Sequence, residues 1–249
     1  MAATAPFIAG NWKMHGLCAQ LDQLRILADG LANHPSPARV AVCPPATLLA
    51  QAAHMLMGSR VELGGQDCHC EASGAFTGDI SAEMLADTGA RLVILGHSER
   101  RTLHGETDAM VSAKVVASLR ARLEPIVCVG EHREDREAGR AAPVVEGQLA
   151  ASLPDRLAGA RFSVAYEPVW AIGSGVTPSS DEIADVHDAI RRVLRARFGE
   201  QGARVRILYG GSVKPDNAAE ILRIAEVGGA LVGGASLAAV DFLEIIAAA

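Results

Sequence analysis

The chain reads as an α/β protein, a single closed (β/α)8 barrel over residues 1–249, with eight parallel strands inside a ring of outer helices. Three observations carry this. Short apolar, β-branched-rich runs alternate with Ala/Leu/Arg/Glu-rich stretches of helical spacing along the whole sequence. The apolar runs are continuous, the pattern of strands covered on both faces and therefore of a parallel sheet. Eight strand-then-helix units fit into 249 residues, roughly thirty residues each, the repeat length of βαβ architecture, and eight such units fit a closed barrel. An open doubly wound sheet is the alternative, but it calls for a G-x-G-x-x-G turn after its first strand. Here the first strand runs into Gly10-Asn11-Trp12-Lys13.

The elements follow in order. Strands are expected at 6–12, 39–43, 61–64, 91–95, 125–129, 161–166, 204–209 and 230–232, each a compact apolar run. Between them, 17–33, 108–122, 181–198 and 217–224 carry helical spacing. Ser179 and Glu182 frame the start of the 181–198 helix as a capping box. No composition shift or low-complexity segment marks a second domain, and no tandem repeat is visible.

Composition narrows the function classes. Nearly half the residues are apolar and the formal charge is −6, which argues against nucleic acid or an anionic membrane as the main partner. An anionic substrate then has to be held locally, by placed cations and backbone N–H groups. Only three of the 23 basic residues are lysines, Lys13, Lys114 and Lys214. The five cysteines, Cys18, Cys43, Cys68, Cys70 and Cys128, do not suggest a disulfide scaffold. The first residues lack the pattern of a signal peptide, no run approaches membrane-spanning length, and a cytoplasmic chain is expected.

The chemistry-bearing residues collect after the strands. In a parallel barrel the C-terminal strand ends share one face, where active sites sit, and six strand ends contribute polar or glycine-rich residues here. Glu167 closes an apolar run, with Pro168, a short greasy segment and glycines after it. A carboxylate beside a segment able to cover it suits proton abstraction from carbon, because desolvation strengthens the base; a surface Glu before an ordinary Gly-rich loop is the alternative. Lys13 is a cation on an apolar strand, costly to desolvate unless an anion answers it, the alternative being a surface lysine at a strand end, and Asn11 points to the same side two residues earlier. His97 opens a turn in which Ser98 and Glu99 are fit to cap a short helix. The positive end of that helix disfavours the imidazolium, leaving a neutral donor for a developing oxyanion; a histidine simply satisfied in a turn is the alternative. Gly210-Gly211-Ser212 and Gly233-Gly234, each expected just before a helix, expose backbone N–H groups of the kind that cradle phosphate, although glycine pairs also end strands for structural reasons alone. The run Asp67-Cys68-His69-Cys70-Glu71 lacks the second ligand pair of a structural zinc site, so no metal is expected. Cys128 reads as a small packed hydrophobe at a strand end.

Taken together, the segments GNWKM (10–14), GAFTG (74–78), ILGHSERR (94–101), CVGE (128–131), AYEPVWAIG (165–173), ILYGGSVKPDN (207–217) and VGGASL (232–237) resemble the triosephosphate isomerase family, co-linearly and along essentially the whole chain. The resemblance implies the TIM-barrel architecture and a cofactor-free interconversion of dihydroxyacetone phosphate and D-glyceraldehyde 3-phosphate, a step of glycolysis and gluconeogenesis. It implies Glu167 as base, His97 as neutral electrophile, and Asn11 and Lys13 as partners of the developing oxyanion. Gly173, Ser212, Gly233 and Gly234 match the phosphate grip. Glu99 matches a supporting residue paired with the lysine, and Cys128 is counted with it as a supporting residue. Thr77 sits in the loop that reaches the neighbouring subunit of the usual homodimer.

Two departures stand out. Val176-Thr177-Pro178 takes the place of the Lys-Thr-Ala often found at the hinge end of the lid, and Asp79 replaces the commoner Glu after GAFTG, as a helix-start residue. Two rival classes are weighed: a barrel isomerase for a larger phosphoribosyl-type substrate, and a non-catalytic relative serving as a binding protein. The short lid segment argues against the first and the intact Lys13, His97 and Glu167 against the second.

Overall fold

The computed structural model describes residues 5–172 and 177–249. Eight strands, β1 (Phe7–Asn11), β2 (Arg39–Cys43), β3 (Glu62–Gly65), β4 (Leu92–Leu95), β5 (Glu124–Val129), β6 (Ser163–Tyr166), β7 (Arg206–Tyr209) and β8 (Gly229–Val232), form one parallel sheet. The sheet closes through β1, which pairs with both β2 and β8. The expected strands are all present, with ends displaced by at most two residues. Ten α-helices surround them: α1 (Asp22–Asn33), α2 (Leu49–Met55), α3 (Ala82–Asp87), α4 (Ser98–His104), α5 (Asp108–Arg120), α6 (Arg133–Glu137), α7 (Ala141–Ser152), α8 (Ser180–Gly202), α9 (Ala218–Ile221) and α10 (Ala239–Ala247), counted among the described residues.

The continuous apolar strands divide their side chains between two cores. Phe7, Ala9, Ala41, Cys43, Ile94, Cys128 and Ala165 belong to the cluster that fills the barrel. Their sequence neighbours, such as Ile8, Val40, Val127 and Val164, pack outward with Leu24, Leu149 and Ile190 of the helices. The period of two has a functional corollary: Asn11 follows Ala9, and Glu167 follows Ala165, on the barrel-facing series. Both extend it one step past the packed interior.

Local expectations needed correction in four places. The 217–224 helix shrinks to the single turn of α9, because the chain has to traverse 210–217 and still return to β8 at Gly229. For the same reason Gly210-Gly211-Ser212 does not directly precede a helix, whereas Gly233-Gly234 leads straight into a 3-10 turn at Gly234–Ser236. The cap of α4 is His97 itself, whose Nδ1 accepts from the Glu99 N–H at 3.2 Å. Asp79 does not start a helix: α3 begins at Ala82, capped by Ser81. The Ser179–Glu182 capping box on α8 is present as expected. Asp67 is bound by the Lys114 ammonium at 2.7 and 2.8 Å, and Glu106 joins the same ion-pair cluster. Among the described residues no group of three His, Cys, Asp or Glu is placed to hold a metal.

Candidate active site

Lys13 stands immediately beyond β1 with φ of 54°, a conformation that a non-glycine residue holds only when its surroundings impose it. The Asn11 Oδ1 accepts from the Lys13 N–H at 2.9 Å, and Gln66 Nε2 donates to the Lys13 carbonyl at 2.8 Å. So pinned, the side chain passes over Gly233 at the end of β8, and its ammonium meets Glu99 at 2.7 Å.

His97 and Glu167 come from the ends of β4 and β6 and meet as His97 Nε2–Glu167 Oε1 at 2.8 Å. Because the imidazole Nδ1 accepts from a backbone N–H, its lone pair stays there, and Nε2 carries the proton given to the carboxylate. The second carboxylate oxygen accepts from the Ser98 N–H at 2.9 Å, and Ser98 Oγ lies 3.3 Å from the first. Burial pushes the Glu167 carboxyl upward, but His97, the Ser98 N–H and Lys13 outweigh it and hold the group below its usual value. Burial disfavours a charged His97, yet the adjoining Glu167 carboxylate raises its pKa above the ordinary value. In this arrangement the partners of Glu167 act on it as well as burial, and the Glu167 carboxylate acts on His97 as well as its place at the start of α4.

Backbone atoms fix the position of Glu167. Its N–H donates to the Val129 carbonyl at 2.8 Å, and the Gly210 N–H donates to the Tyr166 carbonyl at 2.7 Å, which ties β6 to both neighbours. Glycine is required on either side. A Cβ at Gly130 would collide with the Glu167 carbonyl, and one at Gly210 would stand 2.9 Å from the Glu167 Cγ. Gly130 is itself bracketed by Gln148 of α7, which accepts from its N–H at 2.8 Å and donates to its carbonyl at 2.9 Å. Arg101 binds the carbonyls of Gly96 and Cys128, joining the ends of β4 and β5. Cys128 lies wholly inside the barrel, its thiol pushed well up by burial and by Glu167, and so is no nucleophile.

Asn11, Lys13, His97, Glu167, Ser212, Gly233 and Gly234 line one cavity of about 980 Å3. Its wall continues through Val169 and Ile172 into the segment after Glu167. That segment starts anchored: the Trp170 indole donates to buried Glu131 at 2.7 Å, and Tyr166 donates to the same oxygen at 3.1 Å. Gly173 and Val176, named from the sequence for the phosphate grip and the lid hinge, lie outside the described residues. Thr77 is exposed in the 74–78 loop, away from these groups. Gln66 and Gln148 carry no role in the sequence reading, and Ser98 is read there only as a helix cap, not as a partner of Glu167. Ser98 had one available signal, its place beside His97 at a strand end; the two glutamines had none.

A sequence model described as triosephosphate isomerase matches residues 6–249. The triosephosphate isomerase of Caulobacter vibrioides is 61% identical over 243 residues, covering 98% of this chain and 96% of that protein. That of Afipia carboxidovorans is 60% identical over 240 residues, 96% of each chain. The crystal structure of triosephosphate isomerase from Bartonella henselae superposes with a TM-score of 0.91 at 48% identity, covering 98% of both chains. With its closed barrel and a match over nearly its full length, the chain belongs to the triosephosphate isomerase family.

Proposed function

We propose that Glu167 is the base by which this isomerase interconverts D-glyceraldehyde 3-phosphate and dihydroxyacetone phosphate without a cofactor. The isomerase activity goes with family membership; the residue roles are our reading. One observation carries it: Lys13, His97 and Glu167, from the ends of three strands, converge on one cavity. In the arrangement described, the Glu167 carboxylate is occupied by His97 and Ser98. A substrate carbonyl that takes the His97 Nε2–H and the Lys13 ammonium releases it, and burial then raises its basicity. Glu167 removes a proton from the carbon beside the carbonyl, and the C–H electron pair moves to make an enediolate. Lys13, Asn11 and the neutral His97 stabilise the oxygen charge. His97 moves a proton between the two oxygens, and Glu167 returns its proton to the neighbouring carbon. Backbone N–H groups at Ser212, Gly233 and Gly234, with Gly173 from the lid, hold the phosphate. The open cavity is larger than a triose phosphate needs, so closure of the segment after Glu167 has to exclude water and keep the enediolate from losing phosphate.

Glu167→Gln tests this. Turnover in a coupled assay with glyceraldehyde 3-phosphate should fall by about 10^2–10^4-fold, with phosphate-ester binding largely retained. Near-normal turnover would overturn the assignment.

We also read the chain as a homodimer acting in the cytoplasm, in glycolysis and gluconeogenesis. Supporting the dimer, Met14, Leu17 and Phe76 are exposed apolar side chains, Met14 at 95%.

A further inference from the structure

The opposite end of the barrel carries a second concavity, of about 580 Å3, at the N-terminal mouth. Its charged lining is Arg39, Arg91, Arg122 and Arg161 against Glu62 and Glu124, four cations to two carboxylates in a chain whose net charge is −6. Arg39 uses both carboxylates. It grips Glu62 through Nε and Nη2 at 2.7 Å each, and reaches Glu124 through Nη1 at 2.7 Å. Arg161 comes no closer to Glu124 than 3.5 Å, beyond a good charged hydrogen bond. Among the described residues, nothing accepts a hydrogen bond from the guanidinium of Arg91 or Arg122. Arg206, at the start of β7, adds a fifth cation to the same field. Its pKa is lowered, first by burial and then by the charge of Arg39.

We propose that this mouth binds a small multivalent oxyanion of the diphosphate class, held by Arg91, Arg122 and Arg161 above the Arg39–Glu62–Glu124 platform. Guanidinium forks match phosphate oxygens two at a time, and the surplus positive charge is answered by an anion without disturbing the ion pairs below. The volume suits a small molecule. A longer polyanion is disfavoured by the acidic remainder of the surface. The site lies across the barrel from Glu167, and none of its arginines belongs to the catalytic groups.

Inorganic pyrophosphate is the probe, titrated calorimetrically at constant ionic strength into the whole protein and into an Arg91→Ser/Arg122→Ser variant. Its competition with substrate is measured separately, because the catalytic phosphate cradle also attracts it. The variant should keep wild-type kcat, KM and inhibition constant and lose one bound pyrophosphate per chain. An Arg91→Lys/Arg122→Lys variant should retain binding more weakly. Equal stoichiometry in wild type and the Ser variant, or no pyrophosphate bound beyond what competitive inhibition accounts for, would overturn the proposal. Neither result bears on the role of Glu167.

Discussion

Glu167 and His97 form a buried pair whose protonation is linked to folding. The folded Glu167 carboxyl lies below its ordinary 4.5, and the folded His97 imidazole above its ordinary 6.5. The Glu167 contribution to stability is therefore present above pH 4.5 and is lost as pH falls through the lower folded value. The His97 contribution is full below pH 6.5 and is lost as pH rises through the higher folded value. Both act together between those limits. The stability of wild type relative to Glu167→Gln should be greatest in that window and decline on either side, as followed by urea denaturation across pH. A difference that does not vary with pH would count against the linkage. Legibility in the sequence follows the same chemistry. Lys13, His97 and Glu167 were readable because a charge or imidazole at the end of an apolar run demands an explanation. Gln66 and the contact of Ser98 with Glu167 were not, since a neutral polar residue has many satisfactory environments, and the partners lie 53 and 69 residues away.

The elements that matter most to the site are β5, β6, β7 and α7, which together hold the Glu167 backbone. Gln148 touches neither the cavity that substrate would enter nor the carboxylate; it sets Gly130, and Gly130 sets the Glu167 peptide. Gln148→Leu should lower kcat on the order of ten- to a hundredfold with KM close to wild type, because the phosphate cradle on the last two strands is untouched. A proportionate rise in KM would show that the bracket shapes the whole cavity instead. Inside the barrel, Ile94 is fully buried, and Ile94→Ala should cost about 2–5 kcal/mol of stability in chemical denaturation. The strands were legible as uninterrupted apolar runs. The last helix before β8 was not, because spacing alone does not register how little chain is left to span the return.

At the scale of the whole molecule, closure of the sheet brings together residues as far apart in sequence as Lys13 and Gly233 and separates two faces of different character. The catalytic groups were legible once the strands were read as parallel, for then their C-terminal ends share one rim. The arginine-lined mouth was not, because each of its residues taken singly is an ordinary basic residue at or shortly before the start of a strand. The apolar exposure of Phe76 next to Thr77 leads to a further expectation. If the proposed dimer forms through this loop, Phe76→Asp should shift the assembly toward monomer in size-exclusion chromatography with light scattering, and unaltered mass would argue that the 74–78 loop is not the contact. The scarcity of lysine has a practical corollary. Lys114 is enclosed by Asp67 and Glu106, while Lys13 and Lys214 both border the catalytic cavity. Brief amine acylation read by peptide mass spectrometry thus becomes an occupancy gauge built into the chain: bound triose phosphate should shield the cavity's lysines from the reagent, with no reporter group engineered in.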